Sequence, residues 1–140
     1  NLVEALRAWV ATQPAGSPEP FFWFDTFSID EHATQTRPQE WWATTFKEAI
    51  RSMGHTVMML SPWSAPQPLT RAWCLWELFH TVQGGHNLDV IMTPDKGAQF
   101  KEALGTRFEA LQTSLSTINV EKSQTTVKAD RNAILKQVGR

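Results

Sequence analysis

The chain contains no tyrosine and only one cysteine, Cys74. A single cysteine excludes an intramolecular disulfide and a multi-cysteine metal site, and it fits a reducing, cytoplasmic setting. No apolar run approaches the roughly 18–20 residues of a membrane span. Neither sign of charge is in excess: 13 Lys and Arg stand against 14 Asp and Glu, for a net charge of −1. Nucleic-acid binders usually carry a basic excess or patch, so nucleic acid is not an expected partner. The sequence has no Gly-x-x-x-x-Gly-Lys phosphate loop, no Gly-x-Gly-x-x-Gly and no His-Glu-x-x-His. Its four histidines are scattered without ligand spacing, so no metal site is expected.

Other aromatics are abundant. There are seven Trp and eight Phe, and five of the Trp fall between Trp41 and Trp76. Hydrophobic residues make up 41 %, enough for a packed core, and 140 residues suit one domain spanning 1–140.

Periodicity divides the chain into alternating elements. Leu2, Leu6, Trp9 and Val10 have helical spacing that stops before Pro14. Residues 13–20 hold three prolines and a glycine, a loop. The run FFWFDTF at 21–27 is nearly all apolar and predicts a strand buried on both faces. Asp25 in it is expected to hold loop amides at the strand end. A polar loop over 28–37 follows, and Pro38 suits the first turn of a helix. Trp42, Phe46, Ala49, Ile50 and Met53 form the helical stripe, which Gly54 is placed to cap. TVMML at 56–60 predicts a second strand, with His55 at its start. Three prolines at 62–68 exclude regular structure there. A helix is expected over 70–83, ending at Gly84-Gly85, and a strand over 88–93. Phe100, Leu104, Phe108, Leu111 and Leu115 predict a further helix, 117–122 a short strand and 127–138 a last helix.

Strands alternating with helices imply parallel strands joined by crossovers, a three-layer α/β fold. A series that opens on a helix predicts one more strand before Asn1. Ligands in such sheets bind outside the carboxyl ends of the strands, which here include 25–30, 61–68 and 93–95.

The helix over 70–83 has an unusual pattern. Ala72, Leu75, Leu78, Phe79 and Val82 share one face, the expected core face. Trp73, Glu77 and His80 lie opposite, with Trp76 beside them. Trp73 and Glu77 are i, i+4 neighbours, so their side chains can meet. A carboxyl beside a large ring sits in lowered polarity next to a stacking surface. The same spacing equally suits tryptophans packed beneath a loop or helix and a solvated Glu77.

These residues resemble those of a known family. Leu60-Ser61, followed by Ala72-Trp73-Cys74-Leu75-Trp76-Glu77-Leu78, resembles the third strand and next helix of TIR (Toll/interleukin receptor-resistance) domains. There, a strand ending in Ser precedes a loop and a Trp-Cys-Leu-x-Glu-Leu motif. Trp23-Phe24-Asp25-Thr26-Phe27-Ser28 resembles the family's second strand and its exit into a long loop. Arg37-Pro38-Gln39-Glu40-Trp41-Trp42, Thr45-Phe46-Lys47-Glu48-Ala49-Ile50 and Ser61-Pro62-Trp63 carry a closer likeness to TIR-like domains attached to repeat-containing proteins of algae, ciliates and water moulds. The resemblance implies a flavodoxin-like three-layer sandwich with a central parallel sheet, here an N-terminally truncated domain lacking the first strand. The proline-rich loop at 61–68 departs from the family pattern.

Several TIR domains cleave NAD at the nicotinamide–ribose bond, and some cyclise or transfer the ADP-ribose. The resemblance therefore implies a glycohydrolase or cyclase in a signalling or defence protein, with NAD as substrate rather than cofactor. The family's essential Glu maps onto Glu77. Trp73, Ser61, Phe27 and Ser28 are the expected substrate-binding residues. His80 is a weaker candidate, and Cys74 is expected to be a small packing residue. Many TIR domains act instead by self-association, which would make Trp41, Trp63 and Trp76 exposed anchors. Nucleoside deoxyribosyltransferases share a parallel sheet and a catalytic Glu, but the Trp-Cys-Leu-Trp-Glu helix favours TIR.

Overall fold

A computed structural model of the chain describes residues 1–24, 39–109, 112–113, 122–123, 132 and 134–136, with backbone alone at 39, 42 and 43. Helix α1 spans Leu2–Ala11. Asn1 caps it: its side chain accepts the Glu4 N–H while the Glu4 carboxylate accepts from the Asn1 backbone nitrogen. Helix α2 spans Gln39–Met53 and is closed by Gly54, whose N–H bonds the Ile50 carbonyl at 2.9 Å. Gly54 has φ +66°, a left-handed value that a side chain disfavours, and it turns the chain directly into strand β1, His55–Met59.

Pro62 and Pro66 keep 61–66 irregular. Gln67–Thr70 then winds into a 3₁₀ turn with Pro68 in it, where no regular structure was expected. Helix α3 follows at Ala72–Gln83, and a turn through Gly84 and Gly85 (φ +67°) leads to strand β2, Asn87–Ile91. Helix α4 spans Pro94–Thr106, with Pro94 in the first turn, where its missing N–H is harmless.

The fold is thus mixed helix and strand, built on a two-stranded parallel sheet among the described residues. The register runs from His55 opposite Asn87 to Met59 opposite Ile91, and α3 makes the crossover between the strands. Bonds from the Asn87 N–H to the Gly54 carbonyl and from the Leu60 N–H to the Ile91 carbonyl close the ladder at its two ends.

Two polar devices fasten helices to this sheet. The Trp9 indole N–H donates to Asp89 Oδ2 at 2.8 Å, and His55 Nε2 shares the same oxygen at 3.1 Å, tying α1 to both strands. On α3, the Thr81 hydroxyl donates to the Glu77 carbonyl at 2.8 Å. A hydroxyl has a single hydrogen, so in the 2.8 Å contact between Thr56 and Thr81 it is Thr56 that donates.

The core gathers where α2 meets α3: Phe46, Ile50, Ala72, Trp76 and Ile134, with Trp73 packed against them. The face expected to be the core is met in part: Ala72 and Leu75 are buried and Leu78 and Phe79 half-buried, but burial also extends to the side expected to face away. Trp76 is 1 % exposed and His80 is buried, whereas Val82, expected in the core, is 65 % exposed. Both sides of the helix are apolar, so its periodicity has no single answer. Burial area shifts the covered sector toward Trp76 and away from Val82, because a Trp buries about 150–250 Å², far more than a Val. Trp76 is therefore not an exposed anchor.

Two other expectations are corrected. Residues 21–24, the described part of the run expected to be a doubly buried strand, form no strand, and Phe21 is 98 % exposed. Two of their rings are held by other rings instead: Phe22 lies edge-on to Trp9 at 5.8 Å and Trp23 edge-on to Phe46 at 5.5 Å. The segment is thereby pinned between α1 and α2. The stripe expected from Phe100 to Leu115 is interrupted in its described part, and Leu111 and Leu115 lie outside the described residues. Helix α4 stops at Thr106, Arg107 leaves helical geometry, and Leu104 and Phe108 are exposed. Gly105, a poor helix former, precedes the break. The Trp42 side chain, and most of the elements expected over 117–122 and 127–138, lie outside the described residues.

Candidate functional site

A cavity of about 440 Å³ lies among α1, residues 20–24, α2, the first half of β1 and the first half of α3. That volume is within the usual range of small-molecule pockets, roughly 300–1,000 Å³. Helix α1 contributes Leu2, Leu6 and Trp9; the segment after it contributes Pro20, Phe21, Phe22, Trp23 and Phe24. Phe46, Ile50 and Met53 come from α2, and His55, Thr56 and Val57 from β1. The wall from α3 and the residue before it consists of Arg71, Trp73, Cys74 and Glu77.

Sequence spacing accounts for that last wall. In a helix, Trp73, Cys74 and Glu77 point within about 100° of one another, given 100° per residue. Trp76 lies on the adjoining side and turns inward to the core, which leaves its neighbours to line the cavity. Trp73 is fixed by rings on two sides: Phe46 at 5.7 Å and 31°, and Trp76 at 5.8 Å and 70°. From the cavity inward, Trp23, Phe46, Trp73, Trp76 and His80 form a continuous series of ring contacts 4.2–5.8 Å apart. Trp73 thus both lines the cavity and packs on the core.

Glu77 is half-buried at mid-helix and Arg71 is exposed at the N-cap of α3. They bring opposite charges to an otherwise mostly apolar and aromatic lining. An aromatic wall next to a carboxylate suits a flat cationic ring, and a carboxylate can also bind sugar hydroxyls. His55 adds an imidazole whose Nε2 is engaged by Asp89. Among the described residues no three His, Cys, Asp or Glu side chains come together as a metal site.

The structure brings Glu77 and Trp73 together in one cavity. Ser61 is exposed beyond the end of β1 and does not line it. Phe27, Ser28 and Asp25 lie outside the described residues. His80 is buried against Trp76 at 4.2 Å and Phe79 at 5.2 Å, away from the cavity lining. The cavity also meets β1 at His55, Thr56 and Val57, its amino-terminal half, rather than at the carboxyl end expected from the strand order.

Sequence reasoning missed Arg71, His55 and the apolar face of α1 as parts of this lining. Arg71 had one available signal: it is the only charged residue between Arg51 and Glu77. No described helix is long and apolar enough to cross a membrane. In comparisons with family models, curated proteins and solved structures, the chain matches none.

Proposed function

We propose that the chain is a TIR-like domain of flavodoxin-like architecture that cleaves the nicotinamide–ribose bond of NAD, with Glu77 acting on the ribose. The observation that carries this reading is the shared placement of Glu77 and Trp73 on an aromatic-walled cavity of about 440 Å³. In the cleavage, the C1′–N1 bond breaks and its electron pair passes to the pyridinium nitrogen, so nicotinamide leaves neutral. No acid is needed to protonate it, unlike the leaving group of most glycosidases. The ribose left behind has oxocarbenium character, which a carboxylate stabilises electrostatically and orients through its hydroxyls. Water attacks C1′ and loses a proton to give ADP-ribose; attack by a nucleophile of the substrate itself would instead give a cyclic product. The Trp73 and Trp23 rings supply flat apolar surface for the base.

The test is nicotinamide release from NAD, followed by chromatography at high protein concentration with a crowding agent. Glu77→Ala and Glu77→Gln should each lower the rate by about 10²–10³, the usual loss when one transition-state stabiliser is removed. Equal release by wild type and both variants, or none by wild type, overturns the reading.

A second reading is self-association without catalysis. It is favoured by apolar side chains that keep part or all of their surface exposed: Phe21, Trp23, Trp41 and Phe108. It predicts concentration-dependent assembly in sedimentation velocity that survives Glu77→Ala and weakens in Trp41→Ala. A monomer at all concentrations counts against it.

A further inference from the structure

We propose that Arg71 is the anion-binding residue of the Glu77 cavity, so that the ligand carries a phosphate or pyrophosphate next to its sugar. This rests on the reading of the cavity as a site for a nicotinamide nucleotide, and it names the group that holds the nucleotide's charged half.

Three observations support the assignment. Arg71 lines the same cavity as Glu77 and Trp73. It is exposed, and among the described residues no carboxylate pairs with its guanidinium. Its backbone is fully occupied: the N–H bonds the Pro68 carbonyl at 3.3 Å and its carbonyl accepts the Leu75 N–H at 3.1 Å. The backbone therefore fixes the residue at the entry of α3, while the side chain has no structural duty that the fold reveals.

A guanidinium presents paired N–H donors matched to phosphate oxygens. Arg71 and Glu77 are six positions apart, about 9 Å of helical rise. That span suits a ligand whose sugar meets the carboxylate while its phosphates lie toward the helix start. The two charges sort the ligand: the carboxylate repels phosphate and favours the sugar and cationic ring, and the guanidinium does the reverse. The ligand is thereby given one direction in the cavity.

The experiment measures binding to the whole chain by tryptophan fluorescence, since Trp9, Trp23 and Trp73 all line the cavity. The probes are ADP-ribose, adenosine and inorganic pyrophosphate. Wild type should bind ADP-ribose at least about tenfold more tightly than adenosine, as expected for one charge-assisted contact, and pyrophosphate should compete with it. Arg71→Gln should remove most of that difference without changing adenosine binding, and Arg71→Lys should restore part of it. Added salt should weaken ADP-ribose binding and spare adenosine. Circular dichroism of Arg71→Gln should match wild type, because the backbone bonds at this position do not involve the side chain.

An unchanged preference in Arg71→Gln overturns the assignment. So does an equal loss for ADP-ribose and adenosine, which would mark a structural role, and so does a wild type that binds neither probe. Failure of the catalytic reading is distinguishable. NAD cleavage indifferent to Glu77, with Arg71-dependent binding intact, overturns the hydrolase and keeps the anion site. Glu77-dependent cleavage with binding indifferent to Arg71 does the opposite.

Discussion

Replacing Trp76 and Val82 separately by alanine tests whether the buried sector of α3 reaches Trp76 or Val82. Trp76 is 1 % exposed and meets rings on two sides, Trp73 at 5.8 Å and His80 at 4.2 Å. Truncating a buried aromatic of this kind costs about 3–5 kcal/mol, from lost transfer energy and the cavity left behind. A domain of this size has about 5–15 kcal/mol in total, so the loss takes a large share of it. Trp76→Phe keeps a ring in place and should lose less, about 1–3 kcal/mol. Val82 is 65 % exposed on the same helix. Val82→Ala removes little buried surface and improves helix propensity, so its effect should stay within about 0.5 kcal/mol of zero. Urea unfolding followed by circular dichroism measures all three, with the m-value as a check that the unfolding reaction is unchanged. The reasoning is refuted if Val82→Ala destabilises as much as Trp76→Phe, or if Trp76→Ala costs under about 1 kcal/mol. Either result would put Val82 rather than Trp76 in the buried sector of the helix.

Other expectations follow from the polar contacts and turns. Thr81→Val removes the acceptor of the Thr56 hydroxyl and the donor to the Glu77 carbonyl, and should cost about 1–3 kcal/mol in urea unfolding. In a double-mutant cycle, Trp9→Phe and Asp89→Ala should show a coupling of about 0.5–1.5 kcal/mol through the indole bond; additivity would deny that the bond fastens α1 to the sheet. Gly54→Ala should destabilise by about 1–2 kcal/mol, because φ is +66° there although a Cβ would meet nothing nearby. The Asp95 carboxyl titrates below its ordinary value of 3.8, chiefly because the Thr93 hydroxyl bonds it, and in part because of Lys96. A depressed folded-state value means that this contribution to stability is present above the unfolded value and fades as pH falls through the folded one. NMR titration should find the Asp95 transition below 3.8 in wild type and shifted upward in Thr93→Val; an unmoved transition contradicts that cause.

Much of the local structure was legible in the sequence because short-range chemistry sets it. Gly54 ends α2, Pro62 and Pro66 keep 61–66 irregular, and the strands at 55–59 and 87–91 follow from short apolar runs bounded by glycine or loops. Their parallel pairing follows from the helix between them, since a crossover of that length returns the chain to the same end of the sheet. The i, i+4 spacing likewise put Trp73 and Glu77 within reach of each other before any tertiary contact was known.

Tertiary structure decided what periodicity left ambiguous. An apolar run such as 21–24 becomes a strand only where a partner edge receives its backbone, and here its rings found Trp9 and Phe46 instead. A helix apolar on both sides is covered where it buries most area, so Trp76 joins Ala72 and Leu75 in the interior and Val82 stays in water. That same orientation carries Trp73 and Glu77 to the cavity wall, and the loop turning into α3 adds Arg71 beside them. Sequence alone determined which residues could be neighbours along the helix. Only packing against α1, α2 and β1 determined that they share a cavity, because that depends on how the rest of the chain covers the helix.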